Sequence, residues 1–453
     1  MSRVALIGEN SVEYVNVLLD IWNNGDCAVL LDWRIPFKTA VKMMVEAGVT
    51  RCCIENGKFD NKKDIFPESI EPEVFERQSN SAELLPQYIY DKYRDNYSDN
   101  EAVVIYSSGT TGTAKGIILS HYAIQTNADA IIDYMKPVSN DCIYICKTIS
   151  HSSTLVGELL VALKFKMRLI MAPIIVPPRY VLSNIEKFGV TILCVNPTLL
   201  SMYADEYNQR RFNLSSLRTI YVSGSILNNK IYEKAHTVFS SIPIYNVYGL
   251  SELGPRVSAQ TVNCCKSNSV GKPIKDVEIR IVNEQGIVVP NGERGILHVY
   301  TPCKFDGYII GTQKYISLYE KWQNTGDIAY IDEFNELHIL NRVDDVIIID
   351  SHKIYPSDIE EILINQTSIK DCAVVKIDFD SHEFLGCLSV GEKENDFEIK
   401  AILKKKLMTY EIPRYFVWCD NLPKNKNGKI ITGKVKDYLK KYICQEKGFR
   451  SKY

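Results

Sequence analysis

Residues 106–116 read Y-S-S-G-T-T-G-T-A-K-G and directly follow the apolar run A-V-V-I at 102–105. Glycines leave backbone N–H groups open to a ligand, the hydroxyls add further donors, and Lys115 adds a mobile point charge. The stretch therefore has the chemistry of a turn that grips phosphate after a strand. It comes close to the nucleotide loop of kinases and GTPases, G-x-x-x-x-G-K-[ST], whose final hydroxyl ligates magnesium. Counted from Gly109, Lys115 falls in register, but Ala114 precedes it and Gly116 stands where the hydroxyl belongs. That chemistry is excluded. What remains is a Gly/Ser/Thr hairpin-like turn behind a strand.

The rest of the chain bounds the answer. With 453 residues it exceeds what one hydrophobic core usually supports, so at least two domains are expected. A net charge of -2 gives no electrostatic case for nucleic acid or an anionic membrane as main partner. The thirteen cysteines lack C-x-x-C pairs, and Cys52–Cys53 and Cys264–Cys265 are adjacent. Reduced, mostly buried thiols fit this pattern better than a disulfide framework. No Cys or His spacing resembles a metal site. The N-terminus lacks a signal-peptide core and no apolar run is long enough to span a membrane, so a cytoplasmic location is expected. The basic C-terminal end (Lys440, Lys441, Lys447, Arg450, Lys452) reads as a solvated tail.

Strand and helix signals alternate from the start. V-A-L-I-G is a short buried strand, and Val12, Val15, Leu18, Leu19 and Trp22 recur at helical spacing with Gly25 as a cap. A helix over K-T-A-V-K-M-M-V-E-A-G precedes a strand at R-C-C-I-E. Residues 56–100 turn polar and read as a surface connection with short helices. Strands are then expected at Ala102–Tyr106, Thr191–Val195, Arg218–Val222, Ile242–Val247 and Val277–Val282, and a helix at His121–Met135. From Val277 the strands crowd together as an antiparallel subdomain. After N-R-V-D-D a strand V-I-I-I-D, a helix opened by a Ser357–Glu360 capping box, a strand C-A-V-V-K-I-D and a helix Asp396–Leu407 form a small α+β unit. The expected class is α/β. A large multi-layer N-terminal α/β domain with a β subdomain spans 1–343, and a small mobile α+β domain spans 344–453.

The phosphate-gripping stretch S-S-G-T-T-G-T-A-K-G resembles that of the adenylate-forming superfamily, which includes acyl- and aryl-CoA synthetases, peptide-synthetase adenylation domains and luciferases. The resemblance runs through nearly the whole chain in order. Because V-A-L-I-G-E-N-S-V-E-Y is similar to an early family segment, a stretch usually found upstream is expected to be absent or very short. The resemblance implies that Ser107, Ser108, Gly109, Thr110, Thr111, Gly112 and Lys115 hold the β- and γ-phosphates of ATP.

Y-N-V-Y-G-L-S-E at 245–252 resembles the family's aromatic-Gly-x-Thr-Glu motif. By that match Tyr248 stacks on adenine beside Gly249, Ser251 contacts the α-phosphate region, and Glu252 holds Mg2+. An aromatic face suits a purine, and a hard carboxylate suits a cation that keeps most of its waters. Ser223-Gly224-Ser225 resembles the turn flanking adenine and the acid. T-G-D at 325–327 matches the ribose-binding aspartate, which puts Asp327 on the two hydroxyls, although Asn324 stands where arginine is usual. N-R-V-D-D-V-I-I-I-D-S-H-K resembles the hinge segment. It implies a ribose or phosphate contact for Arg342 and a pivot at Asp344, with Ser351 where glycine is usual in the turn lining the thiol path. L-P-K-N-K-N-G-K-I at 422–430 matches the motif that carries the catalytic lysine, Lys429. I-S-H-S-S-T at 149–154 sits where the acid pocket begins, with His151 matching a histidine frequent in acyl- and aryl-CoA ligases. No aspartate anchor for an α-amino group is found there, which favours an amino-free acid.

The implied reaction has two halves. The carboxylate of a small acid attacks the α-phosphorus of ATP and expels pyrophosphate. A thiol then attacks the acyl-adenylate and releases AMP. That thiol belongs to coenzyme A or, alternatively, to the phosphopantetheine arm of an acyl or peptidyl carrier protein. A non-catalytic nucleotide-binding protein on the same fold is the remote alternative. The retention of Lys429, Glu252 and Asp327 argues against it.

Overall fold

The computed structural model describes residues 1–59, 66–107, 115–264, 268–311, 313–316, 321–349, 352–380, 382–424 and 430–450. Two eight-stranded sheets form the large N-terminal part. In the first, the strand Arg3–Ile7 lies between Cys27–Leu31 and Val49–Glu55, parallel to both. Cys27–Leu31 pairs in turn with Glu101–Ser107. These strands are almost wholly buried, as continuous apolar runs in a covered parallel sheet should be. The helix Val12–Asn23 covers the sheet with Val15, Leu18, Leu19 and Trp22. Ser11 caps it by accepting from the Tyr14 N–H, and Gly25 follows in the left-handed region. Each of those large side chains contributes about 2 kcal/mol by leaving water.

The second sheet has a parallel centre. Arg168–Met171, Cys142–Tyr144, Ile192–Val195, Thr219–Val222 and Ile244–Gly249 lie side by side, followed by the antiparallel Arg256–Ala259 and Lys272–Pro273. One large core fills the space around both sheets, including Leu155, Leu159 and Leu160 from a π-helical segment, Leu155–Leu160. A four-stranded antiparallel sheet follows, built from Glu278–Val282, Gly295–Tyr300, Gln323–Ile331 and Leu337–Arg342. The expected β subdomain is therefore present.

The C-terminal part is α+β, with the paired strands Ile369–Phe379 and His382–Gly391 at its centre. Its buried apolar clusters draw only on residues from Ile347 onward, and the N-terminal clusters end at Leu337. The two parts meet through thin polar contacts. Arg294 pairs with Asp358 at 2.8 Å, and the Asn229 amide donates to Glu361 at 3.0 Å. Such exposed contacts are worth little individually.

Four expectations need correction. Residues 56–100 are more than a surface connection, because Glu71–Phe75 adds a parallel edge strand. Its polar sequence and Pro72 hide it, both tolerated at a sheet edge. The Ser357–Glu360 capping box does not form. Pro356 occupies the first helical turn, the helix begins there, and Glu360 accepts from the Val374 N–H instead. The helix expected to Leu407 ends at Leu403. The basic end is no free tail: Thr432–Arg450 is helical and buries Val435, Leu439 and Ile443 against the C-terminal sheet.

Candidate active site

Parallel sheets gather ligands at the carboxyl ends of their strands. At that end of the second sheet, Ser223 is buried and its N–H donates to the Val195 carbonyl at 3.0 Å. Gly224 follows with φ +98°. Tyr248 and Gly249 close the neighbouring strand. Gly249 permits no side chain, because a Cβ there would lie 1.8 Å from the Pro255 carbonyl oxygen. The chain can double back here only with glycine.

Asp327 is buried on the facing antiparallel sheet, where its backbone pairs directly with Arg342. Its Oδ1 accepts from Arg342 Nη1 at 3.0 Å, and its Oδ2 accepts from the Tyr248 hydroxyl. Burial and the Asp327 charge push the Tyr248 hydroxyl well above its ordinary pKa, so it stays a donor. The aspartate is fixed by its own turn. Its N–H donates to Thr325 Oγ1 at 3.0 Å, which donates to the Leu297 carbonyl at 2.9 Å. Asn324, which departs from the motif, accepts from the Gly326 N–H at 2.8 Å and shapes the same turn. Three segments that are separate in sequence thus converge on one carboxylate.

Ser251 is half-buried, and its hydroxyl lies 2.7 Å from that of Ser152. Ser152 follows His151 at the start of a short helix that runs on into the π-helical segment. His151 is half-buried, and its charge acts on the Asp32 carboxyl. Burial would raise the Asp32 carboxyl, but the hydrogen bonds and charge of Arg34, with a contribution from His151, hold it below the usual range. Asn10, at the end of the first strand, braces the same loop, accepting from the Ile149 N–H and donating to the Lys147 carbonyl.

Glu252 is half-buried and its Oε1 accepts from the Tyr308 hydroxyl at 3.0 Å. Burial and Glu252 both raise the pKa of that hydroxyl. The Lys115 ammonium lies 5.4 Å from the centroid of the same Tyr308 ring, within cation–π range. These groups meet because Lys115–Ser120 is paired on one side with Glu101–Ser107 and on the other with Gly307–Ile310, both antiparallel. Ser107 faces Lys115 across the first pair, so the glycine-rich stretch joins two strands. In the kinase-type loop a strand leads into a helix instead. Gly116 is a packing position: a Cβ would meet Val104, Ile309 and Tyr106 at 3.1–3.2 Å.

Arg342 sits at the end of Leu337–Arg342, and Asp344 is exposed in the 3₁₀ turn Val343–Asp345 that follows. Ser108, Gly109, Thr110, Thr111, Gly112, Ser351 and Lys429 lie outside the described residues. Tyr308 and Ser152 were not expected from the sequence. Tyr308 reaches the site only through strand pairing, which leaves no local spacing to read, and Ser152 was overshadowed by His151. Among the described residues no cluster of three or more His, Cys, Asp or Glu side chains could hold a metal ion. A magnesium ion here would draw one protein carboxylate, that of Glu252, and take its remaining oxygens from phosphates and water, as this ion commonly does.

The family description "AMP-binding enzyme" matches residues 1–309, and "AMP-binding enzyme C-terminal domain" matches residues 358–429. A 2-succinylbenzoate–CoA ligase of Bacillus mycoides (strain KBAB4) is 27% identical over 441 residues, covering 95% of this chain and 87% of the relative. One from Bacillus cereus (strain ATCC 10987 / NRS 248) is 28% identical over 452 residues, covering 96% and 88%. Among solved structures, ATP-bound MatB from Rhodopseudomonas palustris superposes with a TM-score of 0.84 at 20% identity, covering 97% of this chain and 89% of that one. O-succinylbenzoate coenzyme A synthetase (MenE) from Bacillus subtilis, with ATP and magnesium ion, gives 0.79 at 22% identity, covering 95% and 88%. These likenesses establish the fold, a large N-terminal domain of several sheets with a small α+β C-terminal domain. With the family description spanning more than half of its length, the chain belongs to the AMP-binding enzymes.

Proposed function

We propose that the chain is an ATP-dependent, AMP-forming carboxylic acid–coenzyme A ligase. The observation that carries this reading is the convergence of Tyr248, Arg342 and the T-G-D turn on Asp327. A rigidly held carboxylate facing a half-buried aromatic ring suits a ribose diol beside a purine. The relatives named above as CoA ligases support the class of reaction.

Asp327 takes the ribose hydroxyls and Tyr248 the adenine face, flanked by Ser223, Gly224 and Gly249. Arg342 adds a ribose or phosphate contact. Ser107, Ser108, Gly109, Thr110, Thr111, Gly112 and Lys115 take the β- and γ-phosphates. Ser251, positioned by Ser152, donates to the α-phosphate, and His151 borders the acid. Glu252 would hold Mg2+, which would supply charge neutralisation to the triphosphate. The acid oxygen attacks the α-phosphorus, the bond to the bridging oxygen breaks and pyrophosphate leaves. Lys429 bridges acid and phosphate oxygens in this step. The protein's contribution is positioning and charge neutralisation. The unit 344–453 then turns about Asp344 against 1–343, a division supported by the exposed Val343–Asp345 turn. The thiolate of coenzyme A attacks the acyl carbon, and AMP leaves.

A cytoplasmic location is part of this reading. Free cysteines, nine of them buried among the described residues, suit a reducing compartment. No helix among the described residues is long and apolar enough to cross a membrane.

Acid-dependent exchange of labelled pyrophosphate into ATP, without any thiol, tests the reading. Exchange with fatty or aryl acids, followed by thioester formation on adding coenzyme A, is expected. Exchange with no acid overturns it, and transfer only to a phosphopantetheinylated carrier protein replaces the acceptor.

A further inference from the structure

We infer that Tyr308 is a positioning residue for the activation of the acid. It holds Glu252 and Lys115 apart, so that the carboxylate stays directed at magnesium and the ammonium at phosphate. This rests on the ligase reading above.

Tyr308 lies on the middle of three antiparallel strands, opposite Ile117 on one side and Tyr315 on the other. Its backbone is thereby fixed from both sides. Side chains alternate between the faces of a sheet, so Lys115, two residues before Ile117, shares the face of Tyr308. Diagonal neighbours on one face are within reach of an aromatic ring and a long side chain. The Lys115 ammonium accordingly lies 5.4 Å from the ring centroid. Glu252 is held twice by the segment that carries Tyr308. The Phe305 N–H donates to its carbonyl and the Tyr308 hydroxyl to its Oε1, both at 3.0 Å. The buried Phe305 ring packs against the tyrosine, with centroids 4.6 Å apart.

Two opposite charges thus meet different parts of one side chain. The ammonium is attracted to the negative face of the ring, and the carboxylate accepts from the hydroxyl at its edge. Neither Lys115 nor Glu252 forms an ion pair with another described residue. Lys115, Glu252 and Tyr308 are all half-buried, so each keeps an edge open to solvent and to a ligand. Without the hydroxyl, Glu252 would lose its one side-chain hydrogen bond among the described residues and be drawn to the lysine. A direct charge-assisted pair would occupy both groups, leaving magnesium without its carboxylate and phosphate without its cation. Hydrogen bonds that orient a metal ligand in this way are worth about 10- to 100-fold in metal affinity.

Melting temperatures with ATP and increasing magnesium, without any acid, test this role apart from turnover. In wild type, ATP with magnesium should raise the melting temperature more than ATP alone. Tyr308→Phe keeps the ring and its packing, so without ligands it should melt as wild type does. Its half-saturating magnesium concentration should rise about 10- to 100-fold. Lys115→Met in the Tyr308→Phe background should recover part of that rise, because no ammonium is left to capture Glu252. Pyrophosphate exchange by Tyr308→Phe should fall at low magnesium and approach wild type when magnesium saturates. Lys115→Met alone should weaken ATP binding without tightening that of magnesium, and it serves if Tyr308→Phe does not fold. Unchanged half-saturation in Tyr308→Phe, no recovery in the double variant, or tighter magnesium binding in Lys115→Met overturns the role and leaves Tyr308 a packing residue. No wild-type shift with ATP at all overturns the ligase reading itself, and this role with it.

Discussion

The Tyr248 hydroxyl and the Asp327 carboxylate are joined by a hydrogen bond across 79 residues of sequence. Tyr248 is thus held at both ends, by its strand and by its hydroxyl, and its ring has one orientation to present. Asp327 has one oxygen on Tyr248 and the other on Arg342, so its lone pairs are directed before any nucleotide arrives. Preorganisation of this kind lowers the cost of binding.

Removing the hydroxyl alone should therefore weaken ATP binding without abolishing it. Tyr248→Phe should raise the KM for ATP about 3- to 10-fold with kcat nearly unchanged, the effect of one hydrogen bond to a charged group. Asp327→Asn should cost more, because it also loosens Arg342. Steady-state exchange kinetics at varied ATP separates the two.

Gly116 occupies the position of the magnesium-binding hydroxyl in a kinase-type loop, yet its neighbours leave no space for a side chain. Gly116→Ser should destabilise the protein by about 1–3 kcal/mol through overpacking against Val104, Ile309 and Tyr106. It should not improve activity at low magnesium. Thermal melting and a magnesium titration check both halves.

His121 is buried at the start of its helix, edge-on to Trp22 with ring centroids 5.8 Å apart. Burial lowers its pKa from 6.5 to about 4. As pH falls below about 6.5 the unfolded chain binds this proton before the folded one, so stability is lost down to about 4 and is unaffected above 7. His121→Phe should remove up to about 3 kcal/mol of that acid sensitivity. Melting curves of both proteins between pH 7.5 and 4.5 would show their difference shrinking as pH falls.

The two half-reactions should respond to different residues. Lys429→Ala should reduce pyrophosphate exchange at least 100-fold while the melting temperature holds, as loss of a transition-state charge contact does. Asp344→Pro, by fixing the backbone at the exposed turn, should spare exchange and slow thioester formation. Equal losses in both reactions for Asp344→Pro would remove the pivot assignment.

Much of this was legible in the sequence because the signals were local. The buried strand V-A-L-I and the amphipathic helix after it follow from apolar spacing, and the helix His121–Met135 has the expected bounds. Tyr248, Ser251, Glu252, Asp327 and Arg342 stood out because the short motifs that carry them resemble those of the adenylate-forming superfamily. What could not be read was set by distant pairing. Tyr308 meets Glu252 because Gly307–Ile310 docks against Lys115–Ser120, a register fixed almost two hundred residues away. The Ser357–Glu360 cap failed for a similar reason: a strand N–H at Val374 competes for the glutamate. Glu71–Phe75 escaped notice because an edge strand needs little apolar content.

The central claim is that ATP is split between its α- and β-phosphates to activate an acid for coenzyme A. Product analysis of one reaction mixture containing ATP, magnesium, the best exchanging acid and coenzyme A tests it most directly. The account predicts AMP, pyrophosphate and acyl-CoA in equal amounts, with no AMP when the acid is omitted. Formation of ADP and phosphate, or AMP release independent of the acid, would contradict it.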